Sequence, residues 1–361
     1  MNIEETEEHK LLRDTVRTLL QSSLPVDKVQ KLVDVEGWDD GELWDELSAI
    51  GLSGMLLPES SGGGGFGFAG LTIVAEEIGR ALAPDAVVAN GVGTILLEAC
   101  GGAASPLLRS VADGERVAAA LGRGARARTT AGGSVVSGRC ALVPEAGKAG
   151  ILVVECDLGG GPAVVVLRRG GRGVMAADAP TIDPTRRRYD VVLEEAEVSA
   201  VLATGTEAAS ALERARTAET LAAAADSIGA AQKALDLAVE YAKVREQFDT
   251  KIGAFQSIKH LLVDTYVAVK NARAAMLYAS RAVDAGQADG ALAVMAAKVL
   301  AGQAGVQAGA NAVQVLGGIG FTKEVPAHLY LRRAKLNEAS AGSTIEHLKG
   351  IGDRLEEVLA W

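Results

Sequence analysis

Several residue types that carry common site chemistry are scarce in this chain of 361 residues. Its three cysteines, Cys100, Cys140 and Cys156, form no CxxC pair and leave an odd number, which favours buried free thiols over a disulfide framework or a zinc site. Its four histidines are scattered and form no HExxH pattern. The sequence therefore gives no support to metal chemistry.

The chain also has no excess of positive charge and no long apolar run. Acidic residues outnumber basic residues by 46 to 36, and they are spread along helical segments as on a solvated surface. Nucleic acid is therefore not expected as a partner. No uninterrupted run of about 18 apolar residues is present, and the acidic N-terminal stretch does not resemble a signal peptide. We expect a soluble cytoplasmic protein without a membrane partner.

The pattern of residues that are present changes twice along the chain. Residues 1–115 carry apolar side chains at helical spacing, and residues 116–205 consist of short Val-rich runs separated by Gly, Pro and Asp, which is typical of antiparallel strands. Residues 206–361 are rich in Ala and Leu with a 3.6-residue period and predict four or five long helices. The predicted order is a helical domain, a middle β domain and a second helical domain, with residues 199–210 as a short linker before the last.

One glycine-rich stretch contains a literal GxGxxG, at Gly62, Gly64 and Gly67, with Asp85 at the distance that a dinucleotide fingerprint requires. The preceding residues, MLLPESS, place a Pro and polar residues where a strand should end, and no βαβ alternation surrounds them. The pattern is therefore a weak indication of a dinucleotide site.

A second candidate, VREQFDTKIGAFQSIKH, interrupts two Ala-rich helical segments. It places Arg245, Phe248 and Gln256 around the break, and a guanidinium, an aromatic face and an amide suit a pyrophosphate, a ring and a polar ligand edge. The residues alone leave an alternative open, an ordinary helix–helix turn with Asp249 and Gly253 as breakers, Phe248 in the core and Arg245 in solvent.

A third stretch, ANAVQVLGGIGF, ends an Ala-rich helix with Gln314 and continues through Gly317 and Gly318, which allow close approach of the backbone to a ligand or another chain. Together with REQFDTKIGAFQ, it resembles the acyl-CoA dehydrogenase family. The resemblance extends from EETEEHKLLRDTVRTLL through DPTRRRYDVVLEEAEVSAV to GAAQKALDLAVEYAKVREQF and covers nearly the whole chain.

The resemblance implies a mainly α protein with a small β domain: an N-terminal helical domain, a middle antiparallel β domain and a C-terminal four-helix bundle. Members of this family use FAD to oxidise an acyl-CoA thioester to the α,β-enoyl thioester, and an electron-transfer flavoprotein is the expected electron acceptor. In this family, groups at six positions reach across a subunit interface to FAD held mainly by the neighbouring chain. The corresponding residues here are Arg245, Phe248, Gln256, Gln314, Gly317 and Gly318. Asp249 replaces the usual Gly of the RxxFG pattern and brings a carboxylate close to the phosphates.

The reaction requires a carboxylate base near the thioester α-carbon, in a site that excludes water. Most of the family uses a Glu in a YEGT-like stretch, and the corresponding residues here are Ala341–Ser343, which contain no Glu. A minority, including the isovaleryl- and long-chain-type enzymes, uses a Glu ten residues before a Gly on an earlier helix. Counting back from Gly229 gives Glu219, although Thr220 replaces the Arg that usually follows. The alternative is an exposed helical Glu without a catalytic role.

The middle region departs from the family in the other half of the FAD site. Its segment VAAALGRGARARTTAGGSVVSG lacks the family's TEPxxGS-like stretch, and Trp38, Trp44 and Trp361 all lie outside the β region, where the family supplies a Trp. This pattern resembles the short subunits of actinobacterial heterotetrameric acyl-CoA dehydrogenases, which act in lipid and sterol degradation. It implies that the chain shares one FAD with a full-length sister subunit.

Two other interpretations remain open on the sequence. One is a self-sufficient homotetrameric acyl-CoA dehydrogenase with Glu219 as its base. The other is a non-catalytic scaffold subunit, because Ala-rich helices associate closely without any chemistry. The sequence does not distinguish linear, branched and steroid side-chain thioesters, so β-oxidation of fatty acids and degradation of sterol side chains both stay possible.

Overall fold

The structure, a computed structural model, describes residues 4–35, 40–59, 62–122, 124–130 and 133–358. Within these residues, helices precede and follow a region of strands, in the predicted order. The helices before the strands are α1 (Glu7–Ser23), α2 (Val26–Leu32), α3 (Gly41–Ala49), α4 (Gly67–Ala81), α5 (Ala86–Ala99) and α6 (Ser105–Ala112).

The middle region forms a mixed sheet. Its strands are β1 (Val117–Ala120), β2 (Ala125–Thr130), β3 (Gly133–Pro144), β4 (Ile151–Leu158), β5 (Gly161–Arg168), β6 (Val174–Asp178), β7 (Arg188–Glu197) and β8 (Ala200–Thr204). Their order across the sheet is β6-β7-β3-β2-β4-β5-β8, with β1 also beside β4.

The sheet corrects two details of the sequence prediction. Most strand pairs are antiparallel, as predicted, but β1 and β2 run one after the other along β4 and are both parallel to it. The expected linker at residues 199–210 is not a linker, since β8 pairs with β5 and the next helix begins at Gly205. The break between β1 and β2, at Leu121 and Gly122, borders the cavities described below.

The remaining chain is helical apart from one small hairpin. Its elements are α7 (Gly205–Val244), β9 (Glu246–Gln247), β10 (Thr250–Lys251), α8 (Gln256–Asp284), α9 (Gly290–Leu316), α10 (Ala327–Ala339) and α11 (Thr344–Val358). The fold class predicted from the sequence is thus confirmed, while the domain limits at 115 and 205 stay predictions.

A tight crossing joins the N-terminal helices to the C-terminal ones. A Cβ on Gly79 of α4 would lie 2.1 Å from the Asp226 carbonyl oxygen, and a Cβ on Gly229 of α7 would lie 1.8 Å from that of Glu76. The two backbones are in contact at this point, which only glycine allows. The crossing fixes α7, the helix that carries Glu219, against the N-terminal helices.

The segment Gly290–Phe321, which contains α9, is long and apolar enough to cross a membrane by length and composition alone. Half of its most apolar window is buried inside the protein, where α9 packs against α7, α8 and α10. A core helix of a bundle meets the same criterion, and the contacts of α9 are those of a core helix.

Candidate active site and cofactor-facing surface

Glu219 lies on α7 between two cavities. The first, of about 250 Å³, is bordered by α5, the end of β3, α7 and the end of α10. The second, of about 390 Å³, is bordered by α7, the start of α9 and α11. Three residues line both cavities: Leu121, Glu219 and Ala341. The structure therefore places the predicted base where it can face a bound molecule.

The Glu219 carboxyl group is free to accept a proton. Its side chain makes no hydrogen bond to the residues that the structure describes, and it is half-buried because it borders open space. Burial raises the pKa of Glu219, while Arg188, Arg216 and Lys298 act in the opposite direction. A partly buried carboxylate with no hydrogen bond and a raised pKa has the properties expected of a general base.

The first cavity has mostly apolar walls. Val88, Ala89 and Val92 of α5 face Ala222 and Ala223 of α7 across it. Such walls exclude water from a reacting centre and leave room for an aliphatic group.

One charged wall of this cavity is neutralised internally. Arg188 makes two bonds to the Asp85 carboxylate, of 3.1 and 2.8 Å, and Arg186 pairs with Asp226. Burial alone would raise the pKa of Asp85, but Arg188 and Arg186 hold it well below its usual range. Asp85 is therefore not available for a ribose, and no strand immediately precedes the glycine-rich loop among the described residues, so the GxGxxG pattern is not a dinucleotide site.

Next to this charged cavity wall, a buried cluster of charged residues joins the N-terminal helices, the strand region and the C-terminal helices. Arg333 of α10 pairs with Asp183, which precedes β7, and with Asp226 of α7. Its guanidinium also donates to the Ala83 carbonyl oxygen at 2.9 Å. This junction was not predicted from the sequence, although the run of arginines in DPTRRRYD and the RR pair on α10 were available as signals.

The predicted helix break is a short hairpin at the end of α7. Phe248 and Asp249 connect β9 to β10 and both have left-handed backbone angles, with φ of 53° and 58°. Phe248 is 88% exposed, so the alternative that placed it in the core is wrong. The Arg245 side chain is also exposed and has no partner among the described residues. The turn thus exposes an aromatic ring and a guanidinium group at the protein surface.

The other predicted contact residues lie at the same end of the C-terminal helices. The Asn311 amide donates to the Thr265 hydroxyl at 2.8 Å, which fixes α8 and α9 as antiparallel neighbours and places Gln256, at the start of α8, beside the end of α9. Gln314 is exposed there, and Gly317 has a φ of 66° and a ψ of −139°, a conformation that favours glycine. We call this exposed set the contact surface: Arg245, Phe248, Gln256, Gln314, Gly317 and Gly318.

The contact surface and the cavities are far apart. Glu219 and Arg245 are 26 positions apart along α7, which corresponds to about 39 Å at the helical rise. Within one chain, the contact surface therefore cannot complete a site at Glu219.

The contact surface and the cavity wall differ in how well they fit FAD. The contact surface offers a free guanidinium, an exposed ring, two amides and a glycine passage, which suit phosphates and a ring system. The cavity wall offers Leu142, whose N–H is bonded to Asp190 at 3.2 Å, and Pro144, which has no N–H to donate. The Gly122 N–H, in the segment that replaces the TEPxxGS-like stretch, is already bonded to Glu155 at 2.8 Å. At these positions the cavity wall therefore does not fit a flavin ring.

The tryptophans do not supply the missing ring. Trp44 is buried in α3, where Arg116 lies over its ring. Trp38 and Trp361 lie outside the described residues.

The order of helices, sheet and helices, with a carboxylate between apolar walls, is that of the acyl-CoA dehydrogenase fold. The chain belongs to the acyl-CoA dehydrogenase family: residues 6–108 match its N-terminal domain and residues 206–356 its C-terminal domain. Members of this family are flavin-dependent oxidoreductases that bind FAD.

The chain is similar to mycobacterial relatives. It is 34% identical over 352 residues to acyl-CoA dehydrogenase FadE34 of Mycobacterium tuberculosis, a match that covers 92% of this chain and 45% of that protein. It is 30% identical to acyl-CoA dehydrogenase IpdE2 of the same organism, covering 91% of each. The chain thus spans about half the length of FadE34 and nearly all of IpdE2.

Solved structures show the same fold. A chain of the ChsE4-ChsE5 complex from Mycobacterium tuberculosis is 27% identical, with a TM-score of 0.90 over 99% of both chains. A chain of a structure titled Tcur3481-Tcur3483 steroid ACAD G363A variant is 29% identical, with a TM-score of 0.88 over 98% of this chain and 99% of that one. Butyryl-CoA dehydrogenase from Megasphaera elsdenii shares the fold at 22% identity and a TM-score of 0.88, covering 98% of this chain and all of that one.

Proposed function

We propose that this chain is a subunit of an FAD-dependent acyl-CoA dehydrogenase that converts an acyl-CoA thioester to its α,β-enoyl thioester and shares one FAD with a sister subunit. The observation that carries the proposal is the separation of Glu219 from the contact surface along α7. Because the two lie about 39 Å apart, the contact surface serves a cofactor seated on another chain. The Leu142 N–H is bonded to Asp190 and Pro144 has no N–H, which supports the view that the sister subunit holds the flavin ring.

The cavity suits the proton-transfer half of this reaction. FAD, when bound, accepts the hydride that leaves the β-carbon of the thioester. Glu219 takes the α-proton onto its free carboxylate, and the apolar walls formed by α5 and α7 keep water away from the reacting carbon.

The contact surface suits the binding half. Arg245 faces the negative charge of the phosphates, Phe248 faces a ring, and the Gln256 and Gln314 amides donate to polar edges of the cofactor. Gly317 and Gly318 let the backbone approach the cofactor closely.

The similar solved structures support a substrate class and an assembly. A structure titled steroid ACAD and the two-protein ChsE4-ChsE5 complex are among the similar solved structures, which supports a steroid side-chain thioester as substrate and an assembly of two different chains. We propose a heterotetramer as that assembly, and a fatty acyl thioester stays open as a substrate. Electron transfer to an electron-transfer flavoprotein and a cytoplasmic location stay predictions.

Turnover of the assembled enzyme tests the role of Glu219. The chain is co-purified with a full-length acyl-CoA dehydrogenase sister subunit, and acyl-CoA oxidation is followed with an artificial electron acceptor. Glu219→Gln should lower kcat by about 10³-fold or more with flavin content unchanged, while Glu207→Gln, at the exposed start of α7, serves as the charge-matched control. Unchanged turnover in Glu219→Gln would place the base on the sister subunit.

The same assay addresses the alternative of a homotetramer. If the chain alone binds flavin and turns over acyl-CoA, and Glu219→Gln abolishes that turnover, the chain is self-sufficient. If the assembled complex is active without any dependence on Glu219 or Arg245, the chain is a scaffold.

A further inference from the structure

Among the described residues that line the first cavity, one buried nitrogen has no hydrogen-bond partner. It is Nε of Arg186, whose side chain is only 4% exposed. Oδ2 of Asp85 lies 3.5 Å from this nitrogen, which is beyond the usual range of an N–H···O bond. A buried donor without a partner is costly, and a ligand oxygen that accepts from it removes that cost.

The other nitrogens of the Arg186 guanidinium hold the group in place. Nη1 donates to the side-chain oxygen of Asn337 on α10, and Nη2 is paired with the carboxylate of Asp226 on α7. The Asn337 amide in turn donates to Asp226 at 2.7 Å. The Nε–H is therefore a donor with a fixed position, because the planar guanidinium is bound at its other end.

Apart from Glu219, the remaining polar side chains that line the first cavity already have partners. Arg188 is bonded to both carboxylate oxygens of Asp85. The Ser340 hydroxyl donates to a backbone carbonyl oxygen of α10 at 2.7 Å. Two side-chain groups of this cavity are thus left for a ligand among the described residues: the Glu219 carboxyl group and the Arg186 Nε–H.

Helix α7 sets the spacing of these two groups. Glu219, Ala222, Ala223 and Asp226 lie on one face of α7, and the first three line the first cavity. The step from Glu219 to Asp226 is two helical turns, or about 10 Å along the axis. Since Asp226 binds the Arg186 guanidinium, the free donor lies about two turns away from the Glu219 carboxyl group, with an apolar wall between them.

We propose that Arg186 determines specificity for an acyl group that carries a hydroxyl or keto oxygen about 10 Å from its α-carbon. With the α-carbon beside Glu219, the acyl chain follows the alanine face of α7 and its oxygen accepts the Arg186 Nε–H. The inference rests on the proposed function for the position of the α-carbon.

The charges around this donor favour a neutral oxygen over a carboxylate. Three buried arginines are balanced by three buried aspartates, so an added carboxylate would have no cation of its own. The residues of this balanced cluster are Arg186, Arg188, Arg333, Asp85, Asp183 and Asp226.

Equilibrium binding tests the assignment without any chemistry. The probes are CoA thioethers, which lack the carbonyl group that acidifies the α-proton and are therefore not dehydrogenated. At each chain length, four compounds are compared: the plain alkyl chain, a terminal alcohol, a ketone at the penultimate carbon and a terminal carboxylate. Their affinities for the complex of this chain with a full-length sister subunit are measured by calorimetry.

In the wild type, the alcohol and the ketone should bind about tenfold or more tightly than the plain chain. The gain should appear at the length that brings the oxygen about 10 Å from the α-carbon, and be absent at shorter lengths. Equal affinities at every length, or a larger gain from the carboxylate, would overturn the proposal.

A substitution at Arg186 tests which group binds the oxygen. Arg186→Lys keeps a positive charge opposite Asp226 but removes the Nε–H, so the preference for the alcohol over the plain chain should be lost. Arg109→Lys, on the exposed side of α6, is the matched control and should keep the wild-type preference. If Arg186→Lys does not fold, the wild-type series still decides the question. An unchanged preference in folded Arg186→Lys would contradict the assignment to Arg186.

Turnover of the corresponding thioesters distinguishes this inference from the proposed function. If turnover depends on Glu219 but the plain, alcohol and ketone thioesters have equal kcat/KM, the proposed function stands and the inference fails. If the thioethers show the preference while Glu219→Gln leaves turnover unchanged, the oxygen site stands and the role of Glu219 as base fails.

Discussion

At the scale of single residues, Glu145 presents the clearest electrostatic conflict. It follows β3 directly, is 2% exposed, and neither of its carboxyl oxygens has a hydrogen-bond partner among the described residues. Burial raises the pKa of Glu145 to about 8, and the nearby charges of Asp85 and Asp40 add to the effect. Since Asp85 already engages Arg188, the neutral form of Glu145 is the one that the folded protein accommodates.

This conflict predicts how stability depends on pH. Between the unfolded-state pKa near 4.5 and the folded-state pKa of about 8, the folded chain holds a proton that the unfolded chain has lost. The free energy of unfolding should therefore fall as pH rises through this window. Glu145→Gln should remove most of that fall and raise stability at pH 8 by up to about 4 kcal/mol, estimated from the size of the pKa shift.

Urea unfolding at several pH values between 5 and about 8 checks this expectation. The exposed substitution Glu207→Gln gives the charge-matched comparison. A variant Glu145→Gln with the same pH dependence as the wild type would show that Glu145 is ionised in the folded protein.

The sequence could not reveal such environments. The stretch VPEAGKAG resembles a solvent-exposed turn, and Glu145 becomes buried only because residues distant in the chain pack over it. Glu219 was found through a family resemblance, but its open carboxylate was not.

At the scale of elements, the crossing of α4 and α7 depends on the absence of two side chains. Gly229→Ala would place a Cβ 1.8 Å from the Glu76 carbonyl oxygen, so the helices must separate. The expected loss is about 2–3 kcal/mol, in spite of the better helix propensity of alanine.

The control for this prediction is Gly352→Ala in α11, where an added Cβ has no neighbour within 4 Å. That variant should be neutral or slightly stabilising. Thermal unfolding of both variants makes the comparison, and equal melting temperatures would show that the crossing tolerates a methyl group.

The hairpin between α7 and α8 predicts a gain from restoring glycine. Asp249 has a left-handed φ of 58°, a conformation that costs about 1 kcal/mol in most residues. In the assembled enzyme, Asp249→Gly should raise the affinity for FAD several-fold, because it relieves the turn and removes a carboxylate near the phosphates.

Asp249→Asn separates these two causes, since it removes the charge and still tolerates the left-handed region. Flavin retention during dialysis is the measurement. If neither variant retains more flavin than the wild type, the hairpin does not contact the cofactor's phosphates.

Elements were predicted well wherever one periodic pattern ran for many residues. The long Ala- and Leu-rich helices α7, α8 and α9 follow that rule. The parallel pairing of β1 and β2 with β4 was missed because the sequence of a short strand does not indicate which strand it pairs with. Residues 200–204 looked like a linker, and they form a strand because β5 offers them an open edge.

At the scale of the whole molecule, the length of α7 separates the parts of the proposed enzyme. Glu219 lies between the cavities, and Arg245 lies at the far end of the same helix. In the proposed enzyme, assembly brings the contact surface of one chain to a cofactor on another. This arrangement could be inferred from the sequence only by resemblance, because the distance is a property of the folded helix.

Arg245→Ala should reduce flavin occupancy of the assembled enzyme without unfolding the chain. The exposed guanidinium has no partner among the described residues, so its removal leaves no buried charge behind. We expect a loss of about tenfold or more in FAD affinity, measured by flavin absorbance after gel filtration. Arg109→Ala on α6 is the charge-matched control. Equal occupancy in both variants would remove Arg245 from the cofactor site.

The central claim is that this chain provides one part of a shared FAD site. The most direct test is the flavin-to-protein ratio by visible absorbance, for the chain purified alone and after co-expression with a full-length acyl-CoA dehydrogenase sister subunit. The shared site predicts no flavin on the chain alone and about one flavin per pair of chains after co-expression. One flavin per chain in the isolated protein would contradict it and indicate a self-sufficient homo-oligomeric dehydrogenase.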